Sequence, residues 1–179
     1  MGRLFVAAFD PGETTGWARW VGEVDPEREL KHTLRAGAME CGQERVAANK
    51  FGDWRAELAL AATLEIEMTK WLVKNEFITI NDDEHVIVIE DFVLRPGSHS
   101  GKRAGLSPVR MTCYLLSHIA ENNIVIPPVV AQQPGDAKGF MSDARLKYVG
   151  WWLPGKPHAR DALRHLATYV ARYRASLRA

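Results

Sequence analysis

Two acidic side chains lie where they could hold divalent metal ions. Asp10 ends the apolar run 4–9 and precedes a proline-glycine turn, so its carboxylate should project from the end of a strand. Glu90 lies within the valine- and isoleucine-rich segment 85–94, where a carboxylate is costly unless it is paired or bound to a cation. Carboxylate oxygens suit Mg²⁺, and two such ions about 4 Å apart can support phosphodiester hydrolysis. The pattern therefore predicts metal-assisted chemistry.

A third acid, Asp161, lies near the start of a helix that Pro157 should open. His158 precedes it by three residues, so both side chains share one face, and only the first turn can bring that face to the sheet. An aspartate at this place also interacts favourably with the helix dipole, so the residues alone leave both roles open. His165, one turn further on, is most simply a surface histidine, with support of a metal ligand as the alternative.

The hydrophobic pattern predicts an α/β chain with the order β-β-β-α-β-α-β-α-α. A mixed sheet with helices packed on it is the expected architecture, in one domain spanning residues 1–179. The predicted strands are 4–9, 16–21, 34–39, 85–94 and 124–130; the predicted helices are 44–74, 107–122, a short helix between Ser142 and Gly150, and a last helix from Pro157.

Charge is distributed unevenly along the chain. Residues 1–94 hold 10 Lys and Arg against 18 Asp and Glu, whereas residues 95–179 hold 13 against 4. A basic half of this kind is what binding to a phosphate backbone requires, although a dipolar surface without a ligand has the same composition. No run is long and apolar enough for a bilayer span, and no signal peptide is evident, so we expect a cytoplasmic protein without a membrane partner.

The motifs that contain these residues resemble those of the RuvC-type Holliday junction resolvases. Asp10-Pro-Gly-Glu-Thr-Thr-Gly-Trp-Ala is similar to their first motif, Val88-Ile-Glu90 to their second and His158-Ala-Arg-Asp161-Ala to their last. The resemblance spans nearly the whole chain in the family's order. The short length and the style of the last motif are most similar to bacteriophage members, which implies the cytoplasm of a bacterial host.

This resemblance implies a ribonuclease H-like fold, a mixed five-stranded sheet with helices on both faces, and a homodimer that nicks two opposed strands of a four-way DNA junction. Asp10 would bridge two Mg²⁺ ions, with Glu90 and Asp161 completing the set of ligands. His158 stands where many members have a fourth acid; it could bind metal or act as a general acid or base, with Mn²⁺ substituting for Mg²⁺.

Four basic residues are the candidates for DNA binding. Lys102 and Arg103 lie in a glycine-rich loop directly after the segment that contains Glu90, and Arg110 extends the basic patch along the following helix. Lys138 lies in a segment that resembles the one whose lysine assists DNA binding in the family. An ordinary exposed loop remains the alternative for the first two residues.

Three other functions fit parts of the pattern. An Asp-x-Gly-x-Thr turn also binds ATP phosphates in the actin and sugar-kinase superfamily, but those proteins need two such domains, and 179 residues supply one. A junction-binding protein without catalysis would not need three acids. A nuclease of the same fold acting on flaps, branched replication DNA or RNA–DNA hybrid is equally compatible with the residues.

Overall fold

The computed structural model describes residues 3–46, 53–74, 84–91, 107–122 and 127–178. Their strands are β1 (Arg3–Asp10), β2 (Thr14–Glu23), β3 (Ala38–Arg45), β4 (Glu84–Glu90) and β5 (Val129–Gln132). Their helices are α1 (Leu30–Ala36), α2 (Trp54–Lys74), α3 (Ser107–Asn122), α4 (Pro134–Phe140), α5 (Asp143–Val149) and α6 (Pro157–Ser176).

The strands form one five-stranded sheet in the order β3-β2-β1-β4-β5. The first three strands are antiparallel neighbours, and β4 and β5 run parallel to β1. The mixed five-stranded sheet expected from the sequence is confirmed. Because β1 and β4 are parallel neighbours in the middle of the sheet, their carboxyl ends meet at one edge.

Helices cover both faces of this sheet, as predicted. Side chains alternate along β1, so that Leu4, Val6 and Ala8 face a core shared with α6, while Phe5 and Phe9 face a core shared with α2 and α3. When both faces of a strand are covered, the residues pointing to each face are all buried, so the whole strand is apolar. This explains why β1 and β4 are continuous apolar runs rather than alternating ones.

Two predicted boundaries in the first half of the chain are wrong. The third strand was predicted over 34–39 but runs from Ala38 to Arg45, because Leu34 is buried in helix α1. The helix predicted from Glu44 begins at Trp54, because Glu44 pairs with Thr15 as part of β3. Pairing with β2 places polar residues of β3 in the sheet that carry no apolar periodicity of their own.

The second half holds one helix that the sequence did not predict. The sequence predicts no helix between residue 130 and Ser142, but α4 begins there at Pro134, whose fixed φ suits the first helical position. Strand β5 begins at Val129 rather than Ile124. The predicted short helix is confirmed as α5, which Ser142 caps and which Gly150 ends in a left-handed conformation at φ 87°.

No helix in the described ranges combines the length and the apolarity that a membrane span requires.

Candidate active site

Asp10 and Glu90 lie side by side at the carboxyl ends of the two central strands. The parallel register pairs Phe9 with Ile89, so the next residue on each strand is one of the two acids. Asp10 is 9% exposed, and the side chain of Glu90 is 20% exposed. The two carboxylates therefore lie next to each other at one edge of the sheet.

The start of helix α6 lies directly against this edge. Gly16 on β2 is the strand partner of Asp10, and a Cβ atom at Gly16 would overlap the carbonyl group of His158 and lie 2.9 Å from the backbone nitrogen of Ala159. Only a glycine permits this approach. Because the first turn of α6 crosses β2 here, His158 Nδ1 reaches Asp10 Oδ2 at 2.8 Å.

Asp161 is held at the same end of α6 by two cations. Lys138 Nζ on α4 lies 3.1 Å from Asp161 Oδ2, and Arg164 contacts Oδ1. Arg164 is only 8% exposed, and it also contacts Asp143 and donates from Nε to the carbonyl oxygen of Met141 at 3.1 Å. The helix pair α4–α5 thus fixes the third acid through one buried arginine.

Glu90 contacts a histidine that belongs to the same helix as Asp161. His165 Nε2 lies 2.9 Å from Glu90 Oε2, and His165 Nδ1 lies 3.2 Å from the side-chain oxygen of Gln132 at the end of β5. His165 is 1% exposed, so the surface interpretation is wrong for this residue and the alternative, contact with a candidate ligand, describes its place.

The acids influence one another electrostatically. Burial raises the pKa of Asp10, and the negative charges of Glu90 and Asp161 raise it further, although the hydrogen bond with His158 opposes the shift. The hydrogen bond with Asp10 raises the pKa of His158, while partial burial opposes that shift. An added positive charge at this edge would favour the ionised form of Asp10 and relieve the repulsion.

The donor set at this edge suits a hard divalent cation in chemistry, but it is only partly assembled in geometry. Asp10 and Glu90 supply carboxylate oxygens, and Mg²⁺ in proteins is usually held by one or two carboxylates together with waters and substrate phosphate. Within the described ranges, however, no three His, Cys, Asp or Glu side chains converge on one metal position. Asp161 lies in electrostatic range of Asp10 and is paired with Lys138 and Arg164 instead.

The predicted DNA-binding residues have different surroundings. Lys138 is half-exposed beside Asp161, at the candidate site itself. The guanidinium of Arg110 forms two hydrogen bonds to the buried carboxylate of Glu57, at 2.6 and 2.8 Å, so a phosphate would share it with that acid. Lys102 and Arg103 lie outside the described residues. DNA binding by all four remains a prediction.

Sequence reasoning missed the groups that support the acids. Neither Arg164 nor Gln132 is among the residues to which the sequence patterns gave a role. One signal was available, because Arg164 and His165 follow Asp161 at three and four residues and therefore share its helix face. Nothing in the sequence indicated that α4 and β5 would cover that face.

Comparisons with solved structures show the same architecture. RuvC of Thermus thermophilus in complex with a Holliday junction substrate aligns over 95% of this chain and 96% of its own length, with 14% identity and a TM-score of 0.58. A second T. thermophilus RuvC structure covers 96% of each chain with 15% identity and a TM-score of 0.59. The yeast mitochondrial Holliday junction resolvase Ydc2 covers 97% of this chain and 80% of its own length, with 14% identity and a TM-score of 0.52.

No model of a known protein family matches the sequence, and no curated protein sequence does. Identities near 15% leave the fold as the property that these structures share with the chain. The strand order, the helices on both faces and the near-complete coverage agree with that conclusion. The chain therefore has the α/β, ribonuclease H-like fold of the RuvC resolvases.

Proposed function

We propose that this chain is a structure-specific DNA endonuclease that resolves four-way junctions by metal-dependent phosphodiester hydrolysis. One observation carries the proposal: Asp10 and Glu90 are neighbours at the carboxyl ends of β1 and β4, and Asp161 at the start of α6 also acts electrostatically on Asp10. The fold is shared with a RuvC whose structure holds a Holliday junction substrate and with a resolvase from yeast mitochondria.

In this proposal Asp10 and Glu90 are the central metal ligands, Asp161 completes the set, and His158 either joins them or holds a proton. Bound Mg²⁺, for which Mn²⁺ would substitute, would supply a polarised water and charge stabilisation at the phosphate. Asp10 is buried and oriented by His158 Nδ1. Burial keeps water away from its carboxylate, which strengthens its interaction with any cation.

His158 is a candidate general acid or base in this mechanism. Its imidazole accepts a proton more readily than a free histidine does, since its pKa is raised, and its side chain is 43% exposed. A group that is both hydrogen-bonded to Asp10 and reachable from solvent can exchange a proton with a bound substrate. We expect His158→Ala to slow cleavage less than loss of any of the three acids, or to change the preferred metal.

The substrate side of the proposal rests on the basic residues. Lys138 is next to Asp161, and Lys102 and Arg103 follow, in sequence, the strand that ends in Glu90. Phosphate contacts there would place a backbone near the acids. Paired nicks on opposed strands require two sites, so the proposal includes a homodimer, in the cytoplasm of the host cell if the gene is from a bacteriophage.

A cleavage assay on a panel of substrates tests this function. A mobile four-way junction, a flap, linear duplex and an RNA–DNA hybrid are incubated with the protein in Mg²⁺, in Mn²⁺ and in EDTA, with Asp10→Asn as the inactive variant. The expected result is symmetrical nicking of the junction that depends on metal and is lost in Asp10→Asn. Size-exclusion chromatography with light scattering is expected to give a dimer.

Other outcomes of the panel identify the alternatives. Retention of the junction in Mg²⁺ without nicks would indicate a binding protein that lacks catalysis. Preferential cleavage of the flap or the hybrid would keep the chemistry and change the substrate. Cleavage that persists in Asp10→Asn would contradict the assignment of the site.

A further inference from the structure

Glu90, His165 and Gln132 form a hydrogen-bonded group, and the proposed function gives a role to Glu90 but none to His165 or Gln132. Its three members come from β4, α6 and β5, the elements that meet at the sheet edge. His165 is 1% exposed and Gln132 is 2% exposed. A buried polar group that spans three elements needs a structural or functional reason, because each member loses its hydration.

The hydrogen-bonding capacity of these side chains defines the direction of the bonds. A neutral imidazole has one N–H and one acceptor nitrogen. An imidazolium would donate from both ring nitrogens, to Glu90 Oε2 and to the side-chain oxygen of Gln132. In the neutral ring, when Nε2–H of His165 donates to Glu90 Oε2, Nδ1 must accept, and the side-chain Nε2 of Gln132 is the available donor. With the amide oxygen facing the ring, that buried amide nitrogen has no hydrogen-bond partner in the described chain. Turning the amide so that its nitrogen faces His165 gives a partner to both the amide nitrogen and Nδ1.

The backbone adds a further constraint on Gln132. Its carbonyl oxygen accepts from the backbone nitrogen of Asp91 at 2.8 Å, and the register pairs Glu90 with Gln132. The ring of His165 is therefore fixed by a residue that is itself fixed to the strand of Glu90. His165 Nε2 bonds to Oε2 of Glu90, so Oε1 is the carboxylate oxygen that His165 leaves available to a ligand.

We infer that His165, oriented by Gln132, is a positioning residue that restricts Glu90 to one carboxylate orientation for metal binding. This inference rests on the proposed function, because it assigns a role toward the metal that the proposal introduces. Carboxylate ligands are commonly oriented by such hydrogen bonds, and loss of the partner typically lowers metal affinity or activity by about ten- to a hundredfold. His165 does not itself touch substrate or metal.

Binding of Mn²⁺ to the full-length protein without DNA tests the inference independently of cleavage. Free Mn²⁺ is counted by electron paramagnetic resonance during titration of the wild type, Glu90→Gln, His165→Phe, His165→Gln and Gln132→Leu. We expect His165→Phe to weaken Mn²⁺ binding by about ten- to a hundredfold. Gln132→Leu should also weaken Mn²⁺ binding, but by a smaller factor. His165→Gln keeps an N–H donor and is expected to recover part of the loss.

The matched control is Thr168→Val, which alters another buried polar residue on α6. A general loosening of the helix would reduce Mn²⁺ affinity equally in Thr168→Val and His165→Phe, and that result would overturn the positioning role. If His165→Phe does not fold, Gln132→Leu and His165→Gln carry the same comparison.

The failures of the two proposals have different signatures. If Glu90→Gln leaves Mn²⁺ binding unchanged, or the wild type binds no Mn²⁺, the metal site of the proposed function is wrong and the inference falls with it. If Glu90→Gln weakens binding but every substitution at His165 and Gln132 behaves as Thr168→Val does, only the inference is overturned.

Discussion

Two regions of the molecule contain buried acids, and the negative charge is balanced differently in each. One lies between helices α2 and α3, and the other lies at the strand ends that face α6. Glu57 on α2 is 1% exposed, and both of its carboxylate oxygens are bonded to Arg110 on α3, with Ser107 adding a third bond at 3.2 Å. Its charge is matched by a bidentate guanidinium. A buried carboxylate paired in this way needs no further cation, because its charge and both of its oxygens already have partners.

The acids at the strand ends lack that balance. Asp10 has an imidazole as its hydrogen-bond partner; burial and, to a smaller extent, two further carboxylates raise its pKa against the opposing effect of that hydrogen bond. Stable folding alone does not favour such an arrangement, since an apolar or paired residue would avoid the penalty. The difference separates an acid that joins two helices from acids whose placement the cation and substrate of the proposed function would explain.

The largest expected effect is on cleavage. Asp10→Asn, Glu90→Gln and Asp161→Asn should each reduce the cleavage rate of the proposed substrate by at least about a thousandfold, because each removes a group that the proposed mechanism places at the reacting phosphate. Junction binding, measured by gel shift, should be largely retained. Glu57→Gln serves as the matched acid outside the site, and its folded fraction should cleave at nearly the wild-type rate.

The free energy of unfolding should rank these substitutions in the opposite order, with Glu57→Gln more damaging than Asp10→Asn. Glu57→Gln is expected to lower the free energy of unfolding by about 3 kcal/mol, near the lower end for a broken buried pair because 27% of the Arg110 side chain remains exposed. Asp10→Asn should leave that free energy unchanged or increase it, since the amide removes a desolvated charge. Urea titration at pH 7 in EDTA measures both. A large destabilisation by Asp10→Asn would remove the contrast between the two regions.

A glycine comparison tests whether the start of α6 must approach the sheet closely. Gly16→Ala and Gly22→Ala both insert a methyl group into occupied space on β2, where the second would lie 2.6 Å from the ring of Trp20. Each should lower stability by about 1–3 kcal/mol. Only Gly16→Ala should also slow cleavage per folded molecule, by about ten- to a hundredfold, because it displaces His158 from Asp10. Equal rates in the two variants would show that this approach has no bearing on the site.

The smallest expected effect is a pH dependence on the α2–α3 side of the sheet. Burial lowers the pKa of His85 to about 4, and its ring packs against Phe5 at a centroid distance of 4.4 Å. The unfolded chain takes up a proton below about pH 6.5 that the folded chain binds only near pH 4, so stability should fall as the pH is lowered across that interval.

The size of this effect is on the order of 1–2 kcal/mol between pH 7 and pH 5. It should be absent in His85→Phe and present in His32→Gln, whose substituted histidine is exposed. Urea titrations at the two pH values give the comparison. An identical loss in His85→Phe would assign the pH dependence to other groups.

Local sequence was informative wherever a segment's own residues determine its structure. The apolar runs before Asp10 and around Glu90 predicted β1 and β4, and Ser142 and Gly150 predicted both ends of α5. The prediction failed for β3, whose polar residues form a strand only because β2 offers hydrogen-bond partners. Such pairing is a property of the neighbouring strand and leaves no periodic signal.

The sequence by itself determined which chemistry is possible: three carboxylates, with a histidine near the last, at positions where strands or a helix begin or end. Which of them meet was decided by the tertiary structure. Asp10 and His158 are 148 residues apart, and their contact depends on α6 crossing β2 at a residue without a side chain. His165 reaches Glu90 for the same reason, since the packing of a helix on a sheet is determined by the surfaces of both and neither surface is encoded in one segment.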